Sequence, residues 1–430
     1  MNAAIRVIPK TVLLLNMMFL FGGLCRAQTD DSLMTVAKSL YGDGDYEGAV
    51  TMLREVVASE QDNGLAQRYL GYALQGLGKH AEAVPHLLGA IEADSGDVRL
   101  FAALGRSYEA MGLPEKAEDV YHECLRMDSR NRTVLQRILQ LCFDKKDWNS
   151  AVYYASRLVR LDPENAVDLL HLGLAEMNRG NLEAAASALQ HGQRLSPNNL
   201  DITLTLSSVY LQMDLLESAL RILTTGVRHH PTQHRLFRRI GEIFFKQHTF
   251  NKADSCFFQA VALGDSSAAT LRLLGASEIL QDKVPEAHEH LGLSFEKDST
   301  DPLTAYYLAL TLEKEDSLAA AVRWLGKSIE LSDAVFIGQV LSQMSTVHEQ
   351  SGNLTAAVQD LKKAISISTN KSRLYFQLAS LYDRHYADPS AAATYYEKYV
   401  QQAAESDSLM VGHAVRRLRI LKEREHFFRK

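Results

Sequence analysis

Proline is scarce in this chain, 9 in 430 residues, and its 4 cysteines include no C-x-x-C pair. Scarce proline leaves long stretches free to be helical. The missing pairs argue against a zinc ribbon or a disulfide scaffold. Positive charge is not in excess either: 46 Lys and Arg stand against 52 Asp and Glu, a net charge of −6. Nucleic-acid binding draws on basic surface that displaces counterions, so a mildly acidic chain argues against a nucleic-acid partner. The sequence has no H-E-x-x-H, no G-x-S-x-G and no P-loop, the signatures of a metalloprotease, a serine hydrolase and a phosphate cradle. No catalytic residue, metal ligand or cofactor is assigned. Apolar residues at 46% and charged residues at 23% are a globular balance, which excludes a disordered or collagen-like chain.

One apolar run stands apart. Residues 11–24, TVLLLNMMFLFGGL, follow Arg6 and Lys10 and precede Ala27, Gln28 and the acidic Asp30-Asp31. The run is shorter than the roughly 20 residues of a membrane span. A basic start, a short apolar core and a small residue at the cut predict a secretory signal peptide over 1–27, cleaved after Ala27. That implies export across the inner membrane, to the periplasm of a Gram-negative bacterium. Cys25 raises a rival, a lipid anchor that would associate the protein with the outer membrane. The residue before it is Leu24, with Gly22 and Gly23 further back, which is the wrong order for a lipobox.

What fills the rest of the chain is a period of 34. Ala49, Ala83, Ala117, Ala151, Ala185, Ala219, Ala253, Ala287 and Ala321 recur at that step, and Ala357 and Ala392 follow after 36 and 35. A second slot holds Ala37, Gly71, Gly105, Leu139, Gly173, Ser207, Gly241, Gly275, Ala309, Ser345 and Ala379, all small except Leu139. Fixed self-similarity of this length marks a repeat architecture. In each unit the spacing predicts two helices joined by a tight turn, over 65–77 and 81–92 in the second unit. Small residues let the paired helices approach, and a larger side chain there would strain the packing. Turn residues fall between them at Gly44, Gly78, Gly112, Gly180 and Gly352, with Asp214, Asp282 and Asp316 in the same slot. Pro163, Pro197 and Pro231 recur where second helices end. The two-residue slip before Ala357 predicts an irregularity near 334–339.

These features resemble the tetratricopeptide repeat family. Leu70-Gly71, Leu104-Gly105, Leu172-Gly173 and Leu274-Gly275 look like its Leu-Gly pair, and Tyr108 and Tyr210 sit where it has an aromatic. Cys142, Glu176 and Glu278 depart from that aromatic, and Leu139 departs from the small slot. The resemblance implies an all-α solenoid, a right-handed superhelix of about eleven 34-residue helix-turn-helix repeats over 28–405, closed by a capping helix over 406–430. In that last segment Leu409, Val415, Leu418, Ile420 and Leu421 form an apolar stripe, and Arg416, Arg417, Arg419, Lys422 and Arg424 charge the other side. A repeat array needs such a polar-faced end. The alternative is a tail for anionic surfaces, so membrane association is expected only through a lipid or this basic helix.

Some lone signals have plain readings. His288 and His290 point apart on a helix and are expected at the surface rather than on a metal. Cys124 and Cys142 lie on neighbouring helices, where a disulfide is open but two buried apolar thiols are expected.

The resemblance implies that first helices line a concave surface where protein or peptide partners bind. Helical spacing places inward the residues one and four after the small slot, and three and six before it. Repeats one to three supply Lys38, Tyr41, Arg68, Tyr72, Gln75, Arg99 and Arg106. Repeats five and six supply Val167, Leu170, Leu174, Met177, Leu204 and Leu211, and repeats seven and eight Arg235, Arg238, Phe245 and Arg272. The expected partner-binding groove is Arg68, Tyr72, Arg106, Leu170, Leu174, Leu204, Arg235, Arg238 and Arg272, although individual members could instead pack between repeats. The Asn of the family's chaperone-tail clamp has no match here. The expected function is a non-enzymatic scaffold or adaptor in the cell envelope. The alternative is an accessory subunit of a secretion or outer-membrane and polysaccharide assembly machine.

Overall fold

The computed structural model describes residues 32–386, 388–403 and 408–428. The expected signal peptide and Cys25 lie outside the described residues. Everything described is helix, turn or loop, with no strand among the described residues. The chain divides into two compact units, one through Met213 and one from Asp214.

In the first unit the helices are α1 (residues 32–42), α2 (Tyr46–Ser59), α3 (Gly64–Gly76), α4 (His80–Ala93), α5 (Val98–Ala110), α6 (Pro114–Met127), α7 (Arg132–Lys145), α8 (Trp148–Leu161), α9 (Ala166–Arg179), α10 (Leu182–Leu195) and α11 (Leu200–Gln212). The second unit runs α12 (Leu216–His229), α13 (His234–Lys246), α14 (Phe250–Ala262), α15 (Ala268–Ile279), α16 (Val284–Lys297), α17 (Pro302–Lys314), α18 (Leu318–Leu331), α19 (Ala334–Gln350), α20 (Leu354–Ile367) and α21 (Ser372–Leu381). A π-helical turn, Tyr382–Tyr386, then leads to α22 (Pro389–Gln402) and α23 (Ser408–Phe428). Odd helices up to α21 are the first members of repeats, and even ones the second.

Each slot of the period has a structural cause. All eleven alanines of the first slot are fully buried. The second slot faces the residue four after that alanine. A Cβ on Gly71 would sit 2.7 Å from Leu87, one on Gly241 2.7 Å from Phe257, and one on Gly275 2.6 Å from Leu291. Gly105 opposes Tyr121, and Gly173 opposes Leu189, more tightly still. These are closer than carbon atoms pack, so a methyl group there would push the helices apart. Repeat four keeps the register with the sizes exchanged. Leu139 fills the small slot, Ala155 stands four after Ala151, and all are buried in one cluster.

The turn slot is left-handed in repeats one to ten. Gly44, Gly78, Gly112, Gly180 and Gly352 have positive φ, as do Asp214, Asp282 and Asp316. The same conformation occurs at Lys146 and His248, which residue type alone does not signal. A further slot is the N-cap of the first helices. Asn63, Asp97, Asn131, Asn165 and Asn199 each accept a backbone N–H from the opening turn, satisfying donors that lack a helical acceptor.

The breaks in the period are absorbed locally. Of the first helices, α19 is extended to 17 residues, which takes up the two-residue slip. The single extra residue between Ala379 and Ala392 coincides with the π-helical turn, the usual home of a one-residue insertion. Helix α23 packs Ala414, Leu418 and Leu421 onto Tyr396 and Tyr399 of α22. Its stripe is rotated from the one expected: Val415 and Ile420 are exposed. Arg417 faces the array, giving Asp383 a two-pronged ion pair at 2.5 and 2.9 Å.

Candidate functional site

The inward positions of repeats one to three converge in the first unit. A cavity of about 580 Å³ is lined by Tyr41 of α1, Tyr72 and Gln75 of α3, Arg99, Ala102 and Arg106 of α5, and Thr133 of α7. Every one of these stands at a spacing of +1, +4, −3 or −6 from its small residue. The floor is aromatic: the Tyr41 ring lies 5.6 Å from Tyr46, 5.6 Å from Tyr69 and 6.5 Å from Tyr72. Gln75 crosses to the next repeat, donating from Nε2 to Ala103 O at 2.5 Å and Ser107 Oγ at 2.7 Å. Burial pushes the Tyr41 and Tyr72 hydroxyls up, so both are neutral donors at physiological pH. Arg106 is half-buried and has no carboxylate within ion-pair distance among the described residues. A half-buried guanidinium beside neutral phenols suits a ligand carboxylate, since the planar fork binds both oxygens.

Other arginines of the expected groove are engaged between repeats. Arg68 Nη1 pairs with Asp97 at 2.6 Å, and Arg99 Nε pairs with the same carboxylate at 2.9 Å. The hydrogen bond from Arg99 holds Asp97 below the usual carboxylate range, against burial. In the second unit Arg272 Nη1 pairs with Asp301 at 2.6 Å in the same register. Arg238 lies 3.6 Å from Glu242 and 3.8 Å from Asp265. Arg235 is exposed on α13. Leu170 and Leu174 are half-buried on α9. Leu204 is only 6% exposed, so it offers a ligand almost no surface. The three leucines lie in the first unit and the three last arginines in the second.

The spacing rule also holds where composition gave no signal. In the second unit a cavity of about 500 Å³ has Tyr306, Gln339, Ser342 and Arg373 in its lining. Its neighbour of about 470 Å³ is lined by Thr346, Glu349, Phe376 and Ser380, with Arg384 and His385 of the π-helical turn. Glu349 receives His385 at 2.7 Å and Arg384 at 3.1 Å.

The surface reading of the two histidines holds for only one of them. His290 is not a surface histidine. It is half-buried and lies 2.8 Å from Glu278, the residue that replaces the aromatic of repeat eight. His288 pairs instead with Glu315 at 3.1 Å. Cys124 and Cys142 are free and buried, the two apolar thiols expected rather than the alternative disulfide. Burial pushes each thiol up to about 11. Among the described residues no group of three His, Cys, Asp or Glu is placed to hold a metal, and no helix is long and apolar enough to cross a membrane.

Four family models described as tetratricopeptide repeat match residues 36–98, 100–146, 176–239 and 338–371. Lipopolysaccharide assembly protein B of Escherichia coli (strain K12) is 28% identical over 113 residues, 25% of this chain and 29% of that protein. BBSome complex member BBS4 of Bos taurus is 24% identical over 262 residues, 55% of this chain and 49% of that protein. The chain thus spans half or less of these relatives. Among solved structures, a tetratricopeptide repeat protein from Parabacteroides merdae ATCC 43184 has a TM-score of 0.48 at 14% identity, covering 60% of this chain and 98% of that one. A chain of the APC/C hetero-tetramer Cut9-Hcn1 has 0.47 at 13%, covering 90% and 96%.

Proposed function

We propose, for a chain that belongs to the tetratricopeptide repeat family, a non-enzymatic scaffold that holds an extended peptide segment of a partner protein. The observation that carries this reading is the cavity where Tyr72 and Arg106 meet over a tyrosine floor. Its volume of about 580 Å³ falls in the range of ligand sites, roughly 300–1,000 Å³. Aromatic and arginine anchors are the side chains that dominate recognition energy. The ligand is an acidic peptide, its carboxylate on Arg106 and its neighbouring apolar group on Tyr41 and Tyr72. Arg68 acts beneath it by fixing Asp97 and hence Arg99. Nucleic acid and cofactors have no part in this reading.

A peptide library displayed with free C-termini tests it on the purified chain. Enriched peptides should be acidic, and Arg106→Glu should weaken them at least tenfold while helicity stays unchanged. Enrichment that is indifferent to both Arg106→Glu and Tyr72→Ala would remove the site from this cavity.

We place the protein in the cell envelope, exported by its first 27 residues. N-terminal sequencing of the exported form should read from Gln28; Met1 or a lipid-modified Cys25 would contradict it. A second reading, an accessory subunit of an envelope assembly machine, is favoured by the similarity to lipopolysaccharide assembly protein B. Fractionation with and without detergent separates a free scaffold from a membrane-held subunit.

A further inference from the structure

A different cleft lies in the first unit where the loop after α6 meets the end of α8. It measures about 420 Å³ and is lined by Ser129, Arg130, Leu135, Arg157, Arg160 and Leu161. Three guanidiniums line it and no carboxylate does. Arg157 is held in place: its Nη2 donates to Ser129 O, and its guanidinium lies 5.7 Å from the Tyr153 ring centre. Arg130 and Arg160 are exposed and have no carboxylate within ion-pair distance among the described residues. Two acids stand nearby in sequence. Asp128 accepts the backbone N–H of Arg130 at 3.1 Å. Asp162 is the C-cap residue of α8, 3.5 Å from Asn165 Nδ2.

A basic residue in the last turn of a helix is ordinarily explained by the helix dipole. That account covers Arg160, because Arg126, Arg194 and Arg228 close α6, α10 and α12 in the same way. It does not cover the other two. The residues one period away from Arg130 are Gly96 and Glu164, and those one period away from Arg157 are Glu123 and His191. The triple therefore occurs at this junction and not at its two neighbours. One carboxylate is satisfied by one guanidinium fork, whereas three guanidiniums lining one cleft match an anion with two charges and three free oxygens.

We propose that this cleft binds a phosphomonoester group. The half-buried Leu161 gives it an apolar edge that strengthens the charge interactions. The volume leaves room for the group that carries the phosphate. It is a separate site from the Arg106 cavity and stands whether or not that cavity binds peptide.

The test uses the full chain and the double variant Arg130→Gln with Arg160→Gln, which spares the loop-holding Arg157. Inorganic phosphate is titrated against chloride at equal ionic strength, and vesicles containing phosphatidic acid are co-sedimented with the protein. Phosphate should bind in preference to chloride, and the double variant should weaken it at least tenfold, with Arg106→Glu leaving it unchanged. Vesicle capture lost in the same double variant would assign the phosphate to a lipid headgroup. Phosphate binding without vesicle capture would assign it to a soluble ester. Failure to prefer phosphate combined with no vesicle capture, or binding that survives the double variant, would overturn the proposal.

Discussion

At residue scale the informative site is repeat four, where the helix crossing exchanges its large and small members. Leu139 and Ala155 stand where other repeats place Gly71 with Leu87 or Gly241 with Phe257. The departure is compensated, so each half alone should be costly and the pair together should not. Leu139→Ala should destabilise by about 2–5 kcal/mol through a cavity, and Ala155→Leu by about 1–3 kcal/mol through overpacking. The double variant should recover most of both, a coupling that a double-mutant cycle measures. Amide exchange in α7 and α8 reads it; additive losses would show that the two do not face each other. The uncompensated counterpart is Ala185→Leu, also worth about 1–3 kcal/mol, because Leu189 already fills the space over Gly173. The turn slot supplies a gain. Lys146 adopts φ 56°, a conformation that costs a side-chain-bearing residue roughly 1–2 kcal/mol. Lys146→Gly should raise the urea midpoint by about 1 kcal/mol of stability, and an unchanged midpoint would mean that the slot is not strained.

At element scale the repeats are joined by the N-cap of the next first helix. Asp301 accepts the Leu303 and Thr304 N–H groups and the Thr304 hydroxyl of its own helix, and Arg272 from the repeat before. Burial alone would raise its carboxyl, but the Thr304 and Arg272 hydrogen bonds prevail and lower it. Asp301→Asn keeps the cap acceptor and removes the charge. Asp301→Ala removes both, adding the ~0.5–2 kcal/mol of a lost cap. Thermal unfolding should therefore rank the alanine variant below the asparagine variant, and equal losses would deny the cap its share. This joint also marks the limit of what the sequence makes legible. The helix pairs could be read because burial imposes alanine and glycine at one period, and close packing tolerates little else. The cavity at Tyr72 and Arg106 could be read because side-chain direction on a helix follows spacing. The fates of Arg68 and Arg272 could not, since their partners come from another repeat. Charge alone places Arg417 on the outer side of its helix, and Asp383 turns it inward. Lys146 and His248 gave no sign of left-handed turns, because turn geometry there is imposed by the helices on either side.

At the scale of the whole molecule, the two units should respond to pH in opposite directions. In the first unit burial lowers His86, with Arg54 adding to it and Glu82 opposing. Burial also lowers His171, with Asp168 opposing. A histidine lowered by folding is protonated more readily in the unfolded chain. Its contribution is complete above the ordinary value of about 6.5 and is lost as pH falls below it. In the second unit the Glu278 hydrogen bond raises His290 above the ordinary value. Burial opposes, while the charges of Glu278, Glu289 and Asp254 assist. Its contribution is complete below about 6.5 and is lost as pH rises through the raised value. Hydrogen exchange on the intact chain, corrected for intrinsic rates, should show α3, α4, α9 and α10 gaining protection from pH 5.5 to 6.5. Helices α15 and α16 should lose protection from pH 6.5 to 8. His290→Gln should flatten the second trend and leave the first untouched. Parallel trends in both units, or a slope in α15 and α16 that survives His290→Gln, would mean that the Glu278–His290 pair does not govern the second unit.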